Sequence, residues 1–278
     1  MSNEKLLEVA IAGAMRAGKS LLDNYRQTVP ITTKESMRDL TTTVDFAAEQ
    51  EVFKILKKYD NAIPILSEEH GFQGNYSSLG YWVVDALDGT VNYLNQVPFF
   101  SVSISFIKNG APLVGVVYAP LVDDIYYGAE GVGAFKNQNK MQVNDYSPKE
   151  SLFSASFSGK NYEPLGRQEE FLLFGRVNDQ SRGCLRTGSA ALNLAYLAEG
   201  RFNGCWGKAN KKWDISAGLL LAKLAGANVH TVGCDPEQHL YHYLAAPPQN
   251  FIWLKQQIGS ILAINELEIS NSWAMDAL

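Results

Sequence analysis

The chain is short of cysteine, of positive charge and of long apolar runs, and each shortage closes a class of function. Its three cysteines, Cys184, Cys205 and Cys234, are odd in number and show no C-x-x-C spacing. That argues against thiolate metal ligation, fits a reducing compartment, and leaves the three as core thiols. Lys and Arg total 24 against 29 Asp and Glu, a formal net charge of −5, so the basic excess with which nucleic-acid binders release counterions is missing. Nowhere do about 18 apolar residues run uninterrupted, and Glu4 and Glu8 break up what would have to be a signal-peptide core. The expectation is a soluble, cytoplasmic protein with no membrane or nucleic-acid partner.

What remains is ordinary globular composition: 278 residues, 46% apolar and 19% charged, without an internal repeat or low-complexity tract. The length suits one large or two modest domains. Leu6, Val9, Ala10, Gly13, Ala14, Ala17 and Leu21 recur at three and four, which predicts a first helix with a stripe of small residues. A second helix is predicted from near Asp45, with Val52, Ile55, Leu56 and Tyr59 on its apolar side and Lys57-Lys58 in its last turn. Ser101 to Ile107 and Leu113 to Tyr118 flank Asn109-Gly110, the pattern of a hairpin, and Ile125 to Gly128 extends it. The meander stops near Ser147-Pro148, after which short apolar strands alternate with helices. Those helices open at Gly188-Ser189-Ala190 and at Trp213-Asp214, and a last one covers Phe251 to Leu262.

The chemistry concentrates in Trp82 to Asn92, an apolar strand that runs into Asp85, Asp88 and a Gly89-Thr90 pair. Two carboxylates at a strand end suit a hard cation, and the first amides of the element after Gly89 have no internal partner and suit an anion. Metal beside anion points to phosphate chemistry. Hydrolysis of a phosphomonoester needs an activated water and neutralised phosphoryl oxygens, which two or three Mg²⁺ ions held by a handful of carboxylates supply. Candidate carboxylates stand at the tips of predicted elements: Asp45, Glu68 with Glu69, Asp85 with Asp88, and Asp214. Each has a plainer reading. Asp45 and Asp214 also suit helix caps, Glu68 and Glu69 suit a solvated turn, and Asp85 with Asp88 suits an Asx-type turn.

Taken together, these residues resemble the inositol monophosphatase family, within a superfamily of Mg²⁺-dependent, Li⁺-sensitive phosphatases that includes fructose-1,6-bisphosphatases. Trp82 to Tyr93 follows the pattern W-[VI]-[VI]-D-P-[IL]-D-G-T-[TK]-N-[FY], and Trp213 to Gly218 follows W-D-x-[AS]-[AG]-[GA]. Lys34 with Asp39 to Asp45, Ser67-Glu68-Glu69, Gly131 to Phe135 and Gly188 to Asn193 echo four minor segments in the family's order. The resemblance implies an α+β fold, a layered αβαβα sandwich, with the active site between an N-terminal half, 1–147, and a C-terminal half, 148–278. It also implies a homodimer, for which the small-residue face of the first helix and the hairpin strands offer surfaces.

By the same resemblance, Glu68, Asp85 and the Leu87 carbonyl hold one Mg²⁺, while Asp85, Asp88 and Asp214 hold a second with Asp85 bridging. A third ion leans on Glu68 through water. Thr90, hydrogen-bonded to Asp45, activates the attacking water, the Gly89 and Thr90 amides hold the phosphate, and Lys34 balances charge. Ala190, through its backbone, touches the hydroxyls of a small phosphorylated polyol or sugar.

Departures from the family bear on substrate. Ala86 and Val91 replace a proline and a threonine beside the ligands. Seven residues before Asp214, where the family places a glutamate that binds substrate hydroxyls, this chain has Gly207, followed by Lys208, Asn210, Lys211 and Lys212. The lysines suggest a more anionic substrate, with Lys208 and Lys211 as contacts; the plainer reading is a solvated basic loop. Rival functions are a bisphosphatase for fructose 1,6-bisphosphate or a 3′(2′),5′-bisphosphate nucleotide, and a catalytically silent, metal-binding regulatory protein.

Overall fold

The small-residue stripe of the first helix exists to bring that helix close to a sheet. In the computed structural model, which describes residues 1–27, 30–33, 40–75, 79–157, 164–235 and 239–262, helix α1 (Asn3–Asn24) is capped by Ser2 and buries Ala10, Ala14, Ala17 and Leu21 completely. A Cβ on Gly18 would run into the Tyr118 ring, and one on Gly13 would lie 3.3 Å from Ile104. The face expected to serve a dimer is therefore covered from within the chain, because small side chains let the helix axis approach the strands closely. A second copy cannot use it.

After β1 (Ile31–Thr33) and β2 (Leu40–Thr42), an antiparallel pair, come α2 (Thr43–Tyr59), β3 (Ile65–Ser67), β4 (Gly71–Gln73), β5 (Tyr81–Asp88) and the short α3 (Thr90–Leu94). The meander follows as β6 (Ser101–Lys108), β7 (Ala111–Ala119), β8 (Asp124–Ala129), β9 (Gly133–Lys136) and β10 (Asn139–Lys140). These strands build an eight-stranded sheet in the order β10-β9-β8-β7-β6-β5-β3-β4, with β3 and β5 parallel. A 3₁₀ turn at Pro148–Glu150 leads to β11 (Leu152–Ser156), α4 (Pro164–Asp179), β12 (Gly183–Leu185), α5 (Ala190–Ala198), β13 (Cys205–Lys211), α6 (Lys212–Leu224), β14 (Asn228–Asp235), β15 (Leu240–Ala246) and α7 (Pro248–Leu262). The second sheet has the order β12-β11-β13-β15-β14.

Helices α1 and α2 cover one face of the large sheet; α5 and α6 lie between the two sheets, and α4 and α7 cover the outer face of the small one. This is the five-layer α+β sandwich expected. Its middle layer is tight, since a Cβ on Gly115 of β7 would sit 2.8 Å from the Ala217 carbonyl of α6. The cores on either side of α6 are continuous with it: Val117, Tyr126, Ala195 and Leu221 on one, Leu194, Ile215, Leu219 and Tyr243 on the other. No helix among the described residues is long and apolar enough to cross a membrane. Cys184 and Cys205 are buried free thiols, as expected.

Candidate active site

Asp85 and Asp88 reach one cleft because β5 is irregular where they stand. Residues three apart on a regular strand point to opposite faces, yet Asp85 pairs with Ser103 and Asp88 with Ser101, so Ala86 and Leu87 together oppose Val102. The extra residue turns both carboxylates to one side. Asp85 Oδ1 accepts the Leu87 amide at 2.9 Å, which locks the bulge. Gly89 follows in the left-handed region, φ 96°, a conformation that glycine adopts freely.

Glu68 comes from the turn after β3. Its amide donates to the Val84 carbonyl at 3.2 Å, and the Glu69 amide donates to Glu49 Oε1 at 3.1 Å. Glu49, wholly buried on α2, also holds His70 Nδ1, so the acidic turn is clamped to the helix behind it. Asp214 lies in the first turn of α6, with the Lys211 amide donating to its Oδ2 at 3.2 Å, and Ser103 Oγ donates to the Trp213 carbonyl at 2.9 Å, tying that turn to β6. Three carboxylates drawn from residues 68, 85 and 214 thus present oxygens all within 4.8 Å of one another.

Asp88 stands beside this group rather than in it. Its Oδ2 accepts the Ser189 hydroxyl and the Ala191 amide, the latter at 2.9 Å, so it caps the N-terminus of α5 from a neighbouring sheet. Asp45 caps α2 and also meets Thr90. Its Oδ2 accepts the Thr42 amide at 2.9 Å, closing the capping box of α2, while its Oδ1 accepts the Thr90 hydroxyl at 3.1 Å. Thr90 Oγ1 also lies 3.2 Å from the Leu87 carbonyl.

The electrostatics follow from crowding like charges away from water. Burial, then Glu68, Asp88 and Asp214, pushes the Asp85 carboxyl well above the usual carboxylate range. Burial, then Glu68 and Asp88, does the same to Asp214. Asp88 is pushed up to about 6 by burial, held back by its bonds to Ser189 and Ala191. Asp45 is raised by burial, against the lowering effect of Thr42. A set of hard oxygen donors whose charges cannot all be sustained alone is the chemistry that suits a divalent cation such as Mg²⁺. The residues present fit such an ion.

A cleft of about 640 Å³ opens over the group, lined by Glu68, Asp85, Leu87, Asp88, Gly89, Thr90, Ala190 and Asp214, that is, by parts of the chain before and after the turn at 148–150. This volume suits a small molecule. Gly188 and Asn92 also line it, and Asn92 Nδ2 donates to the Phe99 and Thr187 carbonyls at 2.7 and 2.9 Å. Lys34 lies outside the described residues.

The lysine-rich segment is not a loop. Residues 205–211 form β13, inside the small sheet, because Cys205, Trp206 and Gly207 pair with β11 on one side and β15 on the other. The three lysines part company there. Lys208, expected to touch substrate, is not on the cleft wall, and its Nζ lies 3.7 Å from Glu169. Lys211 does line the cleft, over the Trp213 ring. Lys212 is 1% exposed, with Nζ donating to the Tyr81 hydroxyl at 3.2 Å and flanked by the Tyr81 and Tyr241 rings. Arg186 also lines the cleft and went unmarked in the sequence, where no local pattern distinguishes it; Asn210, named there only as a member of the basic segment, lines the cleft as well.

Known proteins resemble this chain in fold and in sequence. The fold is similar to that of the extragenic suppressor protein suhB of Bartonella henselae, with a TM-score of 0.84 at 29% identity over 91% of this chain and 98% of that one. An inositol-1-monophosphatase of Mesorhizobium japonicum is 36% identical over 233 residues, 82% of this chain and 86% of the relative. A fructose-1,6-bisphosphatase/inositol-1-monophosphatase of Aquifex aeolicus is 34% identical, over 84% and 88% of the two chains. Fold, acidic cleft and relatives together define a phosphatase, an enzyme that hydrolyses phosphoric monoesters. More narrowly, residues 2–261 match the model of the inositol monophosphatase family, and the chain belongs to that family.

Proposed function

We propose that this phosphatase is Mg²⁺-dependent and releases inorganic phosphate from a small polyol or sugar phosphate. The observation that carries the reading is the convergence of Glu68, Asp85 and Asp214 oxygens within 4.8 Å, in a cleft whose burial raises the Asp85 and Asp214 carboxyls. Glu68, Asp85 and the Leu87 carbonyl would hold one ion, and Asp85, Asp88 and Asp214 a second, with Asp85 common to both. Bound Mg²⁺ polarises water and offsets the charge of the phosphoryl oxygens.

The chain's own groups do the rest. Thr90 lines the cleft and its Oγ1 donates to Asp45 Oδ1, which leaves the oxygen's lone pairs to accept a hydrogen from the attacking water. The water oxygen forms the new bond to phosphorus, its proton passes by way of Thr90 to Asp45, and the bond from phosphorus to the alcohol oxygen breaks; the departing alkoxide takes a proton from solvent water, and the proton that Asp45 then releases restores that water. Burial suits Asp45 to the task, because a raised carboxyl is a better proton acceptor. The Gly89 and Thr90 amides receive the phosphate, and the Ala190 backbone meets the alcohol.

A bisphosphatase activity is a second reading, favoured by Lys211 and Arg186 on the cleft wall. The test is phosphate release with Mg²⁺ from inositol phosphates, sugar phosphates, fructose 1,6-bisphosphate and adenosine 3′,5′-bisphosphate, with a chelator and Li⁺ as inhibitors. Release from the monophosphates that stops on chelation supports the main reading; preference for the bisphosphates supports the second; release from none overturns both. The homodimer drawn from the resemblance would use a surface other than the buried face of α1, and sedimentation of the native protein tests it.

A further inference from the structure

Strand β13 leaves its ladder at one place. Gly207 pairs with Tyr243 and Asn210 with Tyr241, so Lys208 and Ala209 together oppose His242. Ala209 adopts φ 50°, in the left-handed region, and its amide donates to His242 Nδ1 at 3.0 Å. As in β5, one extra residue brings side chains three apart to the same side. Asn210 consequently lies over Gly207. A Cβ on Gly207 would run into Asn210 Oδ1, 3.0 Å from its Cγ, and into the Tyr243 ring. The space left by the missing side chain at 207 is the space the Asn210 carboxamide occupies.

That carboxamide has unmet bonding capacity. Asn210 is 8% exposed, it lines the cleft that contains Asp85 and Asp214, and its Oδ1 is buried without a hydrogen-bond partner. An orphaned buried acceptor costs free energy, and so does a left-handed alanine. For Asn210 Oδ1, which unlike Ser105 Oγ or Asn193 Nδ2 belongs to a residue lining the cleft, a ligand would supply the missing partner.

We propose that Asn210 is a specificity-determining residue whose carboxamide hydrogen-bonds a hydroxyl of the neutral polyol or sugar portion of the substrate. The inference rests on the phosphatase reading of the cleft. A hydroxyl donates to Oδ1 as it stands, and it accepts from Nδ2 if the amide is turned over. With the amide as it stands, a second phosphate or a carboxylate would meet Oδ1 lone pair to lone pair, whereas a hydroxyl pairs with the carboxamide in either orientation.

The experiment compares kcat/KM for inositol 1-phosphate with kcat/KM for p-nitrophenyl phosphate, whose leaving group has no aliphatic hydroxyl, in the unmutated protein and in Asn210→Ala. The ratio of the two values is expected to fall about tenfold or more, carried mainly by KM, as when a site built for a hydroxyl loses its partner. Gly207→Ala, which displaces the carboxamide without removing it, is expected to lower the ratio in the same direction, and cooperative melting of each variant excludes misfolding. A ratio unchanged within about twofold in both folded variants overturns the inference, as does an unmutated protein that hydrolyses only p-nitrophenyl phosphate. If the unmutated protein hydrolyses neither ester, the phosphatase reading falls and takes this inference with it.

Discussion

Replacing Asp85 by asparagine should make the metal-free protein no less stable while removing its response to metal. The side chain is 2% exposed, and its charge faces Glu68, Asp88 and Asp214. Asparagine keeps the oxygen that accepts the Leu87 amide at 2.9 Å, so the bulge survives, while the buried negative charge disappears. Without metal, the melting temperature is therefore expected to match or exceed that of the parent. With Mg²⁺ at about 100 times its dissociation constant, the parent gains about 2.7 kcal/mol. At roughly 2–4 °C per kcal/mol for a chain of this size, that is a rise of about 5–11 °C. Asp85→Asn should show less than about 2 °C of it. Charge stabilisation of several kcal/mol is lost from the reaction, so kcat should fall roughly a thousandfold or more. Calorimetry with and without Mg²⁺, followed by phosphate release, reads all three quantities. A variant that keeps the full metal-induced rise, or whose metal-free melting temperature drops by about 5 °C or more, would show that Asp85 is a structural carboxylate and refute the assignment.

Thr90→Ala should lower kcat about a hundredfold or more while leaving the melting point nearly unchanged, because the half-buried hydroxyl positions a proton acceptor and not the core; turnover within about twofold of the parent would remove Thr90 from the proton path. The raised carboxyl of Asp88 stabilises the metal-free fold fully below the ordinary carboxylate range, and that contribution is lost as pH rises through about 6. Metal competes with the proton, so the Mg²⁺-induced rise in melting temperature should grow as pH climbs through the same window; a rise that is flat with pH speaks against competition. Gly115→Ala should destabilise the protein by about 1–3 kcal/mol in denaturant unfolding, since the new Cβ meets the Ala217 carbonyl at 2.8 Å. An unchanged midpoint would mean that α6 has room to retreat from β7.

Periodicity and local chemistry made much of this protein legible. The three-and-four spacing from Leu6 to Leu21 becomes α1, Asn109-Gly110 turns β6 into β7, and Ser189 and Gly200 stand at the ends of α5. Such features depend on interactions within a few residues, and a sequence displays them directly. The carboxylates Glu68, Asp85, Asp88 and Asp214 were also identifiable, because each follows the apolar run or opens the helix that carries it.

Tertiary structure decided the rest. The bulge in β5 that turns Asp85 and Asp88 to one side depends on the strand opposite, where Val102 alone faces two residues. The same holds for the bulge in β13, which sets Asn210 over Gly207. Lys208, Lys211 and Lys212 look alike as a run of basic residues, yet one lies beside Glu169, one lines the cleft and one is buried against Tyr81 and Tyr241. The small-residue stripe of α1 meets Tyr118 of its own chain and not a partner. The sequence by itself determined which residues carry charge and which segments form helices and strands, because those follow from short-range forces. Which charges meet, and which side chains face the cleft, depends on the packing of two sheets about α5 and α6, because ladder register joins residues as distant as Ser154 and Cys205, and burial joins residues as distant as Tyr81 and Lys212.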